Sequence, residues 1–220
     1  MSDAQKRLYD EVKDSIRQSV FLNIETEGLG KSKLAVLQGM LKLRQICNSP
    51  LLLPGEEQTC TDSVKTDLLM SELQNNLYNQ KVLVFSQFTT MLNLLAEKCR
   101  EQGISFFHLD GSTPPEKRME MVNRFQEEGN TTNVFLISLK AGNAGLNLTA
   151  AGYVFLFDPW WNTAVQQQAI DRTHRIGQTK NVFAYKMICK DTIEEKIIQL
   201  QQHKKQMYSI PSCWLKILLL

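Results

Sequence analysis

The apolar positions of this chain change their period near residue 62, and the change divides it. Over residues 4–21, Leu8, Val12, Ile16 and Val20 recur at four-residue steps, while Lys6, Glu11, Lys13 and Arg17 occupy the other side. That spacing predicts an amphipathic helix, because positions four apart share one face of a 3.6-residue turn. A second helix is predicted over residues 33–46, after a glycine-rich break. Between Pro50 and Asp62 stand Pro54, Gly55, two glutamates and several threonines, which read as a linker or exposed loop.

Beyond residue 62 the pattern becomes short apolar runs, rich in β-branched and aromatic residues, separated by helical stretches. The runs cover residues 81–85, 104–109, 133–138, 153–157 and 181–188. They are nearly continuous rather than alternating, as strands buried on both faces of a parallel sheet require. Residues 88–102 and 114–128 supply crossover helices; Ser112 or Thr113 is placed to cap the second, with Pro114, Pro115 and Glu116 suited to its first turn. The fold expected is α/β, a three-layer domain around a mostly parallel sheet. In such sheets, ligands are met by the loops leaving the carboxyl ends of the strands.

The 220 residues are 43% hydrophobic and 22% charged, ordinary for a soluble globular protein. With 25 Lys and Arg against 23 Asp and Glu, the net charge of +2 carries no global nucleic-acid signature, so polyanion contact must come from a local face. Five scattered cysteines, none in a Cys-x-x-Cys pair, argue for a reducing compartment and against disulfides; with three histidines and no ligand spacing, no structural metal is expected. No stretch reaches the ~20 apolar residues of a bilayer span, and the polar start lacks a signal peptide.

Two segments carry candidate chemistry. In Gln168-Ala-Ile-Asp171-Arg172-Thr-His-Arg175-Ile-Gly-Gln178, arginines three residues apart fall on one side of a helical turn and can reach a common anion. An arginine finger of this kind is worth ~10³–10⁵ in phosphoryl-transfer rate; the alternative is a solvated helix with surface ion pairs. Ser138-Leu-Lys140-Ala-Gly142-Asn-Ala-Gly145-Leu-Asn147 is a strand end followed by a small-residue loop whose amides can approach a phosphate, or else a turn needing positive backbone angles.

The ordered set Lys81-Val-Leu-Val-Phe-Ser86-Gln87-Phe88, Leu109-Asp-Gly111-Ser112, the Lys140 loop, Asp158-Pro-Trp-Trp161-Asn162 and the Arg172–Arg175 segment resembles the SWI/SNF family of superfamily 2 ATPases. Leu43-Arg-Gln-Ile-Cys-Asn-Ser-Pro50 resembles that family's segment before its second lobe. The resemblance implies a RecA-like second lobe acting on double-stranded DNA, with residues 1–62 a helical protrusion and linker, 63–190 the lobe, 191–207 a brace helix and 208–220 an atypical apolar tail. It further implies Arg175 as the finger with Arg172 beside it, and Gly145, Asn147, Gln168 and Asp171 on the nucleotide side. Ser86, Gln87, Gly111, Ser112 and Lys140 fall where the family touches the DNA backbone. Trp161 matches a tryptophan near the duplex groove, although Trp160 and Trp161 could both be packing residues. Asn143, Thr173 and Ser49 depart from the family pattern, none of them removing a charged catalytic group.

An ATPase also needs a phosphate loop ending in Gly-Lys-Ser/Thr and an acidic pair for magnesium. Gly28-Leu-Gly30-Lys31-Ser32 is a decoy: Glu25 stands where glycine is wanted, and no buried strand precedes it. ATP and Mg²⁺ are therefore expected mainly on a first lobe that is not in this chain, and the chain alone is expected to be inactive. Asp191 is placed to cap the brace helix, with Glu194 three residues on. The tail reads as a truncated or foreign end whose exposed apolar run would favour self-association. An RNA-helicase second lobe and a nucleotide-independent DNA-binding module are the rival readings. The expected location is intracellular, the nucleus or the nucleoid according to host.

Overall fold

A computed structural model describes residues 1–27, 29–142, 146–160, 181–207 and 216–219, with the single positions 164, 167 and 170. Two long helices open the chain, α1 (Asp3–Glu27) and α2 (Leu29–Asn48). Helix α1 runs past its predicted end because no proline or glycine interrupts it before Gly28. A helix, not a strand, therefore precedes the Gly-Leu-Gly-Lys-Ser text, and Leu29–Ser32 are themselves helical, a context in which no phosphate loop forms.

The predicted linker is not a free tether. Two short 3₁₀ turns, Pro50–Leu52 and Gly55–Glu57, shape it, and Leu53 is buried. Ser49, one of the departures from the family pattern, caps the first turn by accepting the Leu51 N–H. Leu8, Tyr9, Leu43, Ile46, Cys47 and Leu53 share a core with Val64, Cys189 and Ile193 from beyond the linker. The hairpin is thus seated on the sheet domain.

Each of the five predicted runs contains a strand: β1 (Val82–Ser86), β2 (Phe106–Leu109), β3 (Val134–Ser138), β4 (Tyr153–Leu156) and β5 (Phe183–Ile188). All pair in parallel, in the order β2-β3-β1-β4-β5, with β6 (Lys216–Leu219) beside β5. Along β1, Leu83 and Phe85 enter one core while Val82 and Val84 enter the core on the opposite face. That double burial is why the strands read as continuous apolar runs. Helices α3 (Val64–Ser71) and α4 (Thr89–Glu101) cover one face, and α5 (Pro115–Gln126) covers the other, setting Phe125 against Phe107 and Phe135. A one-turn helix, α6 (Leu139–Gly142), follows β3, and α7 (Ile193–Met207) follows β5. No helix among the described residues is long and apolar enough to cross a membrane.

Two local expectations are corrected. Helix α5 has Pro114 at its N-cap with no side-chain bond, because Asp110 engages the nearby hydroxyls: Ser112 donates to its carboxylate and Thr113 accepts its N–H. Thr192 rather than Asp191 caps α7, its hydroxyl accepting the Glu194 N–H, while Asp191 sits at φ 59° in the left-handed region. Within the apolar tail, Lys216–Leu219 pair in parallel with β5 and cover its hydrogen-bonding edge.

Candidate nucleic-acid interface

Because every strand is parallel, the predicted contact residues collect at one end of the sheet. In sheet order, β2 leads into Gly111 and Ser112, β3 into Lys140, β1 into Ser86 and Gln87, and β4 into Asp158. Gly111, Ser112, Lys140 and Asn147 are exposed, and Gln87 is half-buried. Asn147 stands between the buried Leu146 and Leu148, which anchor the loop and leave its amide facing out.

Local hydrogen bonds fix these turns. Asp110 accepts the Ser112 N–H at 2.9 Å and hydroxyl at 2.6 Å, and these bonds from Ser112 hold its carboxyl below the usual carboxylate range. At the next strand the Ser138 hydroxyl accepts the Ala141 N–H at 3.2 Å, starting the helical turn that presents Lys140.

Ser86 departs from its expected role. It is fully buried and donates its hydroxyl to Asp158, so its side chain is committed inside the protein rather than to a phosphate. The same carboxylate accepts the Gln87 N–H, with both oxygens at 3.3 Å, and the Ser86 hydroxyl also accepts the Phe88 N–H at 3.1 Å. Ser86 thus shapes the turn that carries Gln87, whose side-chain amide nitrogen is enclosed without a hydrogen-bond partner.

The turn after β4 is held by four separate elements. Lys65 of α3 donates to the Phe157 carbonyl at 3.0 Å, and Ser86 and Gln87 at the end of β1 donate to Asp158. Arg44 of α2 donates to the Pro159 carbonyl, and Gln201 of α7 donates to that of Trp160. Trp160 is partly buried against the core.

Beneath the turn lies a closed ionic cluster. Lys65 is fully buried and bonds Glu194 at 2.7 Å and Asn48 at 3.0 Å. Burial, the largest single influence, pulls the Lys65 ammonium down, but the Glu194 carboxylate together with Cys189 and Cys47 outweighs it and leaves the group above its ordinary value. Cys47, Cys189 and Glu194 bring ligand-type atoms within 4.8 Å of one another. Both Glu194 oxygens are already engaged, one by Lys65 and the other by the Cys189 N–H, so the lysine ammonium takes the place a cation would need.

Gly145, Trp161, Gln168, Asp171, Arg172 and Arg175 lie outside the described residues. Four residues that hold these turns were assigned no role from sequence: Arg44, Lys65, Asp158 and Gln201. Arg44 and Asp158 belong to motif-bearing runs, which was the available signal. Lys65 and Gln201 look like ordinary helical surface positions, and only the fold shows them buried.

The model of the helicase conserved C-terminal domain matches residues 64–177. An uncharacterized ATP-dependent helicase of Mycoplasma pneumoniae is 36% identical over 95% of this chain, and the chromatin-remodeling ATPase INO80 of Mus musculus is 43% identical over 76% of it. The chain spans only 20% and 11% of those two proteins. Among solved structures, the C-terminal domain of the Sulfolobus solfataricus SWI2/SNF2 ATPase superposes with TM-score 0.74 at 29% identity, covering 97% of this chain and 87% of that one. The same organism's SWI2/SNF2 ATPase core in complex with dsDNA superposes with TM-score 0.73 at 32% identity, covering 94% of this chain and 43% of that one.

Proposed function

Since the chain belongs to the helicase conserved C-terminal domain family and is a SWI/SNF-type superfamily 2 ATPase domain, we propose that it serves as the second motor lobe of an ATP-driven duplex-DNA translocase. The observation that carries this reading is the row of candidate contact groups at the ends of β2, β3 and β1, exposed at Gly111, Ser112 and Lys140 and half-buried at Gln87. Two interstrand steps span about 10 Å. At a rise of about 3.4 Å per nucleotide, such a row matches roughly three nucleotides of one backbone. Gln87, Gly111, Ser112 and Lys140 meet phosphates, which sets position and salt dependence rather than base sequence. Ser86 orients the turn from within, and Trp161 approaches the groove.

ATP is bound between this lobe and a first lobe that carries the phosphate loop. Gly145, Asn147, Gln168 and Asp171 face the nucleotide, and Arg175 reaches the γ-phosphate with Arg172 beside it. The planar guanidinium suits that task because it stays charged and can bond two phosphate oxygens together. Mg²⁺, held mainly by the first lobe, neutralises phosphate charge. Closure of the lobes around ATP then advances the duplex. The location follows as intracellular, nuclear in a eukaryote or with the nucleoid in a bacterium.

The test supplies the first lobe and measures hydrolysis with duplex DNA or RNA. DNA should stimulate, RNA should not, and Arg175→Ala should reduce the stimulated rate by about 10³-fold or more. An unchanged rate in Arg175→Ala would remove the finger assignment. Stimulation by RNA would favour an RNA-helicase lobe, and DNA affinity indifferent to ATP would favour a passive binding module.

A further inference from the structure

Arg44 lies on α2, outside the sheet, yet it is only 4% exposed and reaches the turn that follows β1. Its NH2 group stands 3.9 Å from Asp158 Oδ1 and donates to the Pro159 carbonyl. Its guanidinium also covers the Phe88 ring, 5.7 Å from the centroid. Asp158 in turn accepts from the Ser86 hydroxyl and the Gln87 N–H. One cation from the helical hairpin therefore bears on both sides of residues 86–88, through a carboxylate on one side and a ring on the other.

Packing alone does not account for this arrangement. Burying a guanidinium is costly, and the Arg44 Nε is enclosed without a hydrogen-bond partner. An apolar side chain of similar size would fill the space without that cost. It could not keep the Asp158 carboxylate charged and turned toward β1. From this geometry we infer that Arg44 is a positioning residue for the DNA-contacting turn 86–88: through Asp158 and Phe88 it fixes the direction in which Gln87 meets the nucleic-acid backbone. The helical hairpin thereby becomes part of the duplex grip. This rests on the duplex reading proposed above.

The experiment uses the full-length protein containing both lobes and compares wild type, Arg44→Lys, Gln87→Ala and the double variant. Arg44→Lys keeps the charge but loses the planar face over Phe88. The half-saturating duplex concentration for stimulated hydrolysis should rise about tenfold, the factor that corresponds to about 1.4 kcal/mol. In Arg44→Lys, DNA-free hydrolysis should stay within about twofold, since Arg44 is a positioning residue that touches none of the groups proposed to face the nucleotide. In the double variant the two effects should fall well short of multiplying, because Arg44 acts through the Gln87 turn. Should Arg44→Lys misfold, Asp158→Asn replaces it, with the same rise expected. Fully multiplicative effects, or a lowered melting temperature with an unchanged duplex requirement, would overturn the inference and leave Arg44 structural. A responsive wild type with a silent Arg44 variant defeats this inference alone, whereas a wild type indifferent to duplex DNA defeats the duplex reading and this inference together.

Discussion

Asp158 places an ionisable group where no water reaches it, and its proton equilibrium records the conflict. Burial, the largest influence, pushes its carboxyl up to about 6, while the Ser86 hydroxyl, Arg44, Lys65 and the Gln87 N–H pull it down with less effect. A folded-state value above the unfolded one means that the native state holds the proton more tightly. The resulting stability is fully present below the unfolded value of about 3.9 and is lost as pH rises through about 6. Asp158→Asn removes this titration while keeping the shape. The unfolding free energy of wild type minus that of the variant should therefore fall by roughly 2–3 kcal/mol between pH 4 and pH 7, at about 1.36 kcal/mol per unit. Paired urea titrations across that range measure it. A difference that rises with pH would mean that Arg44 and Ser86 outweigh the burial.

At the scale of elements, the junction of α3 with α7 depends on one ion pair. Lys65 and Glu194 are both fully enclosed, 2.7 Å apart. Breaking such a pair from one side leaves an uncompensated buried charge and costs about 3–5 kcal/mol, whereas replacing both members by apolar residues is often near neutral. Lys65→Met should lower the unfolding free energy by that amount, and Lys65→Met with Glu194→Leu should recover most of it in denaturant titrations. A loss in the double variant equal to the sum of the losses in Lys65→Met and Glu194→Leu alone would show that the pair is not coupled. None of this was legible along the chain. The five strands were, because burial on both faces writes an unbroken apolar run, and so were α4 and α5. The caps of α5 and α7 were misplaced because Ser112, Thr113, Asp191 and Thr192 are all chemically able to cap. The choice among them depends on Asp110 and on backbone direction, which periodicity does not encode. The residues proposed as contact groups stand in motifs that the sequence displays. Their supports were not legible, since Lys65 and Gln201 come from helices whose docking only the fold reveals, and Ser86 reads as a surface contact until its hydroxyl is found turned inward.

For the whole molecule, electrostatic recognition has to arise without a strong net charge. At +2 the chain exerts little long-range pull on a polyanion, so the duplex contact proposed above has to come from the edge where Lys140 and the exposed turns at Gly111 and Ser112 stand. Binding by phosphate contact releases about 0.9 counterion per phosphate neutralised, and the slope of log affinity against log salt counts those contacts. Neutral contacts such as Gln87, Gly111 and Ser112 release no counterions, so through Lys140 among the proposed contacts duplex affinity should drop about 3–4-fold between 50 and 200 mM salt. Lys140→Ala should weaken binding uniformly across sequences and reduce the slope by about one. Lys98→Ala offers the contrast, because Lys98 lies on α4 and is already paired with Glu101 at 2.7 Å, so the slope should not change. Fluorescence anisotropy of this lobe with a short labelled duplex, titrated at several salt concentrations, measures all three slopes. A flat response in the unsubstituted chain would mean that the sheet edge does not grip phosphates. Equal slope changes in both lysine variants would mean that attraction is spread over the surface instead of concentrated at the strand ends.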